Sequence, residues 1–214
     1  MVEVQSHGFS FEEWVRNTFF DGYEGSYMQK WDIPPDRNDH PLTPKSLQGV
    51  PVSVKSAKYG SPIGLGDIIR QRNINHPFLM IAGFWKQRTE KEKWFEEIEA
   101  VLFTPDTWES LWGSLTLQKI TPTDSRIKDF SIHYSEARTI AKEWKRLEVA
   151  PSKSTIVVNP KIDSKKQRRI QCSLPFNTFW HHANRDPIPS DSASLFGVEF
   201  PNPVISSART FNRN

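Results

Sequence analysis

Apolar and polar residues alternate in several short runs of the chain, which is the pattern of strands that bury one face. In residues 50–57 the valines point to one side, whereas Ser53 and Lys55 point to the other. Residues 76–85 form a nearly continuous apolar run, which is typical of a strand covered on both faces. Further strands are predicted at residues 26–33, 94–103, 155–158 and 169–174.

Apolar residues at helical spacing predict the helices, and capping residues mark where these begin. Residues 11–19 have one apolar face, with Ser10 as the predicted N-cap. Asp67 is predicted to cap a helical turn that continues to Arg72, and a metal ligand is the weaker alternative for this acid. The remaining segments are a loop at 34–49, which contains four prolines, and helices near 106–112 and 135–147.

The order of these elements is a helix, three or four strands, more helices and two late strands. This order predicts an α/β fold, in which a central mixed β-sheet is flanked by helices within a single domain over residues 1–183. Residues 184–214 are rich in Pro, Ser and Asn, and we predict a C-terminal arm that is ordered only in part.

Composition bears on compartment and partners. The net charge of +3 is too small to indicate nucleic acid by itself. The single cysteine, Cys172, excludes a disulfide framework and a cysteine-rich zinc site, and it favours a reducing compartment. The first residues lack the apolar stretch of a signal peptide, and no run approaches the roughly 18 apolar residues of a transmembrane helix. We therefore expect a cytoplasmic protein with no membrane partner.

An acid and a lysine lie on neighbouring predicted strands. Asp32 ends the predicted strand 26–33, and Lys55 lies on the polar side of the next strand, in phase with Ser53. Such strands can bring both groups to one phosphate, as metal-assisted phosphodiester hydrolysis requires. The acid would hold Mg²⁺, and the lysine would orient or deprotonate the attacking water and offset charge in the transition state. The alternative interpretation is a pair of surface charges.

The segments Lys30-Trp-Asp-Ile33 and Val52-Ser-Val-Lys-Ser-Ala-Lys58 resemble the split active site of the PD-(D/E)XK nuclease superfamily. In that family an acid is followed, after a variable gap, by an acid-X-lysine motif on the next strand. Asp32 matches the first acid and Lys55 the lysine, whereas Ser53 stands where the second acid belongs. Several members tolerate a non-acidic residue there, and a carboxylate from another element then supplies the charge.

The segment Gly8-Phe-Ser-Phe-Glu-Glu-Trp-Val15 resembles the opening helix of the family, whose pattern is G-x-x-F-E-x-x-V. On a helix, Glu12 lies at the edge of the apolar face, whereas Glu13 points away from it. Glu12 is therefore the predicted additional ligand, and the backbone carbonyl of Val54 is another. An alternative role for Glu12 is a charge favoured by the helix macrodipole. The resemblance covers residues 8–103.

Basic residues form two clusters that we expect to contact DNA. The denser one lies in the loop between the two late strands, where cations would contact phosphates and polar side chains would reach base edges. Its predicted DNA-binding residues are Lys165, Lys166, Gln167, Arg168, Arg169 and Gln171. The second set, expected near the proposed site, is Lys58, Arg70 and Arg72. A solvated charged hairpin is the alternative interpretation of the loop.

Taken together, these features and the resemblance predict a Mg²⁺-dependent type II restriction endonuclease that cuts double-stranded DNA at a short specific sequence. Such an enzyme would act as a homodimer, because each site cleaves one strand of a palindrome. One alternative is a structure-specific nuclease of the same superfamily, such as a repair nuclease or junction resolvase. The other is a DNA-binding module with a degenerate nuclease fold, which is suggested by Ser53.

Overall fold

The computed structural model describes residues 6–25, 29–164 and 167–205, with the backbone alone for residues 6–9. In this part of the chain the α-helices are α1 (Ser6–Phe19), α2 (Ile68–Arg72), α3 (Pro105–Ser110), α4 (Leu117–Lys128), α5 (Tyr134–Trp144) and α6 (Phe176–Ala183). The strands are β1 (Val52–Lys58), β2 (Ile63–Asp67), β3 (Phe78–Gln87), β4 (Glu92–Phe103), β5 (Val157–Ile162), β6 (Arg168–Leu174), β7 (Ser194–Leu195), β8 (Val198–Glu199) and β9 (Val204–Ile205).

The elements group into two compact units. The first contains the described residues of 1–61, 77–102 and 179–214, and the second contains residues 62–76 and 103–178. The first unit holds a four-stranded sheet in the order β1-β3-β4-β9. Strands β1 and β3 are parallel, whereas β4 and β9 are antiparallel, so the sheet is mixed. The predicted α/β class with a mixed sheet flanked by helices is confirmed, and the predicted boundary at residue 183 stays a prediction.

Helix α1 packs on the sheet of the first unit through a fully buried apolar face, whose members include Phe11, Val15 and Phe19. The ring of Phe11 stacks on Phe95 of β4, with 4.8 Å between ring centroids. A Cβ atom at Gly83 of β3 would lie 2.7 Å from the Phe11 ring, so only glycine allows the helix to come this close. This packing fixes the distance of α1 from the sheet. It therefore also fixes the position of Glu12, at the edge of the buried face.

Residues 185–205, which we call the C-terminal strap, run along β4. Asn202 joins the two segments, because its side chain accepts a hydrogen bond from Phe95 N–H (2.9 Å) and donates one to Phe95 C=O (2.8 Å). Arg185 pairs with Glu97 and Glu99 of β4 at 2.8 and 2.5 Å. Phe200 packs on Phe95, with centroids 4.7 Å apart, and on Phe11 of α1. The strap therefore supports both the sheet and the helix above it.

The second unit contains an antiparallel sheet in the order β2-β6-β5. Helix α4 buries Ile120 and Ile127, and α5 buries Ala137, Ala141 and Trp144. Asp67 caps α2 as predicted, accepting a hydrogen bond from Arg70 N–H at 3.0 Å. Cys172 is buried in β6, and burial raises the pKa of its thiol, as expected of a small apolar residue rather than a nucleophile.

Several local predictions are wrong for identifiable reasons. The predicted strand 26–33 is not formed by its described residues, since only Ile33 makes an isolated bridge, to Val52, before the Pro34-Pro35 pair ends the pairing. Ser10 is not an N-cap, because α1 begins at Ser6. Helices α4 and α6 were not predicted at all. Among the described helices, none is long and apolar enough to span a membrane.

Candidate active site

The backbone around Asp32 is fixed against the start of β1. The N–H groups of Asp32 and Ile33 both donate to the carbonyl of Val52, at 3.1 and 3.2 Å, and Val52 N–H donates back to Ile33 at 2.9 Å. This short bridge takes the place of the predicted strand. It has the same consequence for the site, because it holds Asp32 beside residues 53–55 of β1.

Three donors from β1 converge on one oxygen of the Asp32 carboxylate. Oδ2 accepts hydrogen bonds from Val54 N–H at 2.6 Å, from Lys55 Nζ at 3.2 Å and from the Ser53 hydroxyl at 3.3 Å. The hydrogen bonds that the described residues donate to this carboxylate all go to Oδ2, which leaves Oδ1 for a further ligand. The predicted acid, Asp32, and the predicted lysine, Lys55, thus lie together, and their side chains are 28% and 23% exposed.

Lys55 also contacts another predicted ligand. Its Nζ donates to the carbonyl oxygen of Val54 at 3.0 Å, in addition to its ion pair with Asp32. The ammonium group therefore lies between a carboxylate and a backbone carbonyl. In this position it can donate to an anion that approaches the two oxygens, and it partly neutralises Asp32.

Glu12 belongs to the same electrostatic group. Burial raises the pKa of its carboxyl, and the negative charge of Asp32 raises it further, whereas Arg16 and Lys55 act in the opposite direction. Arg16 donates to Glu12 at 3.3 Å, one helical turn along α1. Sequence reasoning missed Arg16, because its i, i+4 spacing from Glu12 is the only signal for the pair and is common on helix surfaces.

The oxygen donors of the site are of the chemical types that suit a hard divalent cation. Two carboxylates, Glu12 and Asp32, and the carbonyl of Val54 are ligands that Mg²⁺ accepts, and this ion usually takes one or two carboxylates together with water and substrate phosphate. The charge of the set is modest, because Lys55 and Arg16 balance the two acids. No cluster of three His, Cys, Asp or Glu side chains suited to a metal occurs within the described residues.

The predicted DNA-binding residues differ in how free their side chains are. The Arg72 guanidinium pairs with Glu109 at 2.5 Å and donates to the Leu115 carbonyl at 2.8 Å. Arg168 donates to the carbonyls of Asp129 and Ile132, so it stabilises the loop before α5. The exposed members are Lys58, Arg70, Gln167 and Arg169, and Gln171 is half-buried. Lys165 and Lys166 lie outside the described residues. A DNA contact by any of these side chains stays a prediction.

Arg169 has an unfavourable neighbour. It lies directly opposite Lys161 in the β5–β6 pairing, and both residues are exposed. Like charges in this position destabilise a sheet unless an anion lies between or near them. The pair is therefore consistent with a surface that meets a polyanion.

Comparisons with protein-family models, with curated proteins and with solved structures found no match to this chain.

Proposed function

We propose that this chain is a Mg²⁺-dependent nuclease that hydrolyses phosphodiester bonds in double-stranded DNA, as a type II restriction endonuclease does. One observation carries the proposal: Lys55 Nζ lies 3.2 Å from the Asp32 carboxylate, on which Val54 N–H and Ser53 also converge. A carboxylate that binds a cation and an amine that binds a phosphate must lie close together if both are to act on the same phosphodiester.

Each residue of the site has a separate task in this proposal. Asp32, Glu12 and the Val54 carbonyl would hold Mg²⁺, which when bound polarises phosphoryl oxygens and lowers the pKa of a water ligand. Lys55 would orient the attacking water and donate to the phosphate, where negative charge increases in the transition state. Ser53 holds Asp32 in position through its hydroxyl.

Arg16 extends the assignment to a residue outside the motif. Its guanidinium pairs with Glu12, so it restrains that carboxylate and partly offsets the rise in its pKa that burial and Asp32 cause. An acid that must bind a cation has to be ionised, and a neighbouring cation helps to keep it so. Arg16 is thus a positioning residue in the proposed mechanism.

The proposal includes a homodimer acting in the cytoplasm. Two copies of one site are needed to cut both strands of a palindromic sequence, and twofold symmetry matches that of the DNA. The buried Cys172 thiol supports a reducing compartment.

A second candidate is a DNA-binding module that does not cut. Two observations favour it: Ser53 stands in place of an acid, and no group of three metal-ligating side chains occurs in the described part of the chain. Under this hypothesis Asp32 and Lys55 are a structural ion pair, and duplex binding is independent of divalent ions.

The test is cleavage of mixed plasmid and phage DNA with Mg²⁺ by the wild type and by Lys55→Ala. We expect discrete fragments from the wild type and a rate about 10²–10³-fold lower for the variant, because a transition-state donor is lost. Binding of the same duplex, measured in chelator, should stay within about twofold. Lys91→Ala is the matched control, since it removes an exposed lysine from the β3–β4 turn.

The outcomes separate the candidates. Wild-type turnover by Lys55→Ala would exclude Lys55 from the reaction. Duplex binding without cleavage under any divalent ion would favour the binding module. A smear, or preference for branched substrates, would indicate a structure-specific nuclease instead.

A further inference from the structure

A basic groove lies on the second unit, and its lining contains none of the residues predicted to bind DNA, although Ile162 of the groove pairs with Arg168. Arg138, Lys142 and Lys145 follow one another at i, i+4 and i+7 along α5 and the turn after it, and so share one face. They line the groove with Ala141 of α5 and with Pro160 and Ile162 of β5, and its volume is about 410 Å³. Strand β5 is the edge of its sheet among the described strands, and α5 lies beside it.

In the described part of the chain, the acids of α5 and of the turn after it do not pair with the cations of the groove. The acidic residues of the same segment pair elsewhere: Glu136 with Arg126 at 4.0 Å, Glu143 with Arg146 at 4.0 Å, and Glu148 with Lys119 at 3.3 Å. Within the described residues, neither Lys142 nor Lys145 forms an ion pair, and both are exposed. Positive charge therefore accumulates along one stripe of a helix that carries acids on its other faces.

Arg138 is held in a fixed position at one end of this stripe. Its Nε donates to the carbonyl of Ile162 at 2.9 Å, and its guanidinium lies over the ring of Tyr134, 5.0 Å from the centroid. Among the described residues no acid pairs with the terminal nitrogens of this guanidinium, which can donate to an anion. An arginine that is oriented in this way loses little side-chain entropy when it binds a phosphate.

We propose that this groove binds the phosphodiester backbone of one DNA strand. Seven residues of helix span about 10 Å, which is comparable with the axial rise of a few nucleotides at about 3.4 Å each, so the three cations can reach successive phosphates of one strand. The inference rests on the proposed function, because the substrate named there is a polyanion of this kind. It adds a contact surface that serves affinity rather than cleavage.

The experiment compares Lys142→Gln/Lys145→Gln with a matched control, Arg126→Gln/Arg146→Gln. Both double variants remove two positive charges from the second unit, but Arg126 and Arg146 pair with Glu136 and Glu143 outside the groove lining. Affinity for a duplex is measured by fluorescence anisotropy in chelator, at several salt concentrations. We expect the slope of log K against log salt to fall by about two in the groove variant and to stay unchanged in the control.

Three results would overturn the inference, and they differ in what else they affect. An unchanged slope in the groove variant, with normal wild-type binding and cleavage, would reject the groove alone. An equal decrease of the slope in both variants would mean that duplex binding depends only on net charge. If the wild type bound no duplex but bound polyglutamate through Lys142 and Lys145, the groove would be a site for an acidic protein, and the proposed function would fail as well.

Discussion

The carboxyl of Glu12 lies in surroundings that disfavour its charged form. Burial and the nearby Asp32 raise the pKa of its carboxyl, so the folded chain binds this proton more tightly than the unfolded chain does. The free energy of unfolding therefore falls as pH rises through the raised pKa, and at neutral pH Glu12 makes the fold less stable. A residue retained at such a cost is typical of a functional site.

This leads to a prediction for Glu12→Gln. Removing the charge should raise the melting temperature at pH 7, whereas the gain should disappear below about pH 4, where the carboxyl is protonated in both states. Cleavage should fall by at least about 10–100-fold, since even the outer partners of metal ligands contribute that much. Melting curves at both pH values and a cleavage assay check the two effects.

Glu13→Gln is the control for this prediction, because Glu13 is an exposed neighbour on α1. If Glu12→Gln melted below the wild type at pH 7, its carboxylate would be a stabilising surface charge instead.

Ser53 permits a second prediction at the residue scale. Its hydroxyl lies 3.3 Å from Asp32 Oδ2, so Ser53→Asp would place two carboxylates against each other. We expect a lower melting temperature in chelator and a larger rise on adding Mg²⁺ or Mn²⁺ than in the wild type. Each tenfold gain in affinity adds about 1.4 kcal/mol to the free energy of unfolding at high metal concentration.

Ser53→Asn is the isosteric control, since it brings no charge. A metal-induced shift no larger than that of the wild type would mean that this position does not face a cation.

Much of the site could be predicted because its residues lie on periodic elements. The alternation in β1 put Ser53 and Lys55 on one side, and the wheel of α1 put Glu12 at the edge of the buried face. Arg16 could not be singled out, because an i, i+4 pair of Glu and Arg is common on ordinary helix surfaces. The hydrogen bond from Val54 N–H depends on the bridge at Ile33, which no local pattern reveals.

At the scale of elements, the predictions failed where local propensity and tertiary context disagree. Helix α4 contains Pro122 and many polar residues, so its pattern resembles a loop, yet Ile120 and Ile127 pack in the second unit. The two-residue strands β7, β8 and β9 are too short for alternation to be recognised. They are stabilised by the strap as a whole, through side chains such as Asn202 and Phe200.

The strap gives the prediction at this scale. Asn202→Ala would leave the N–H and C=O of Phe95 without their side-chain partner, at a cost of about 1–3 kcal/mol in the free energy of unfolding. Because Phe95 supports Phe11 of α1, cleavage should also fall as Glu12 becomes less well positioned. Chemical denaturation and the plasmid assay measure the two quantities.

Asn202→Asp is the intermediate control, because it keeps the acceptor for Phe95 N–H and loses the donor for Phe95 C=O. Wild-type stability of Asn202→Ala would show that water replaces the amide without loss.

At the scale of the whole molecule, net charge conceals the distribution that matters. The net charge of +3 is the small difference between 28 basic and 25 acidic residues. In the first unit Asp32 pairs with Lys55, and Glu12 pairs with Arg16. In the second unit the cations at Arg138, Lys142 and Lys145 form no ion pair with any acid among the described residues. Balanced charges suit the proposed site, where charge would change during the reaction. An excess of positive charge suits a surface that only has to attract a polyanion.

The pairing of each acid in the site with a base of the same chain has a practical consequence. Asp32 has Lys55 and Glu12 has Arg16, so we expect the chain to fold without a divalent ion, in contrast to a zinc finger. Under the proposed function, a sample stripped of metal could be loaded with substrate, held before the first turnover and started by a single addition of magnesium. That order of mixing makes the reaction accessible to time-resolved crystallography and to rapid freezing for electron microscopy.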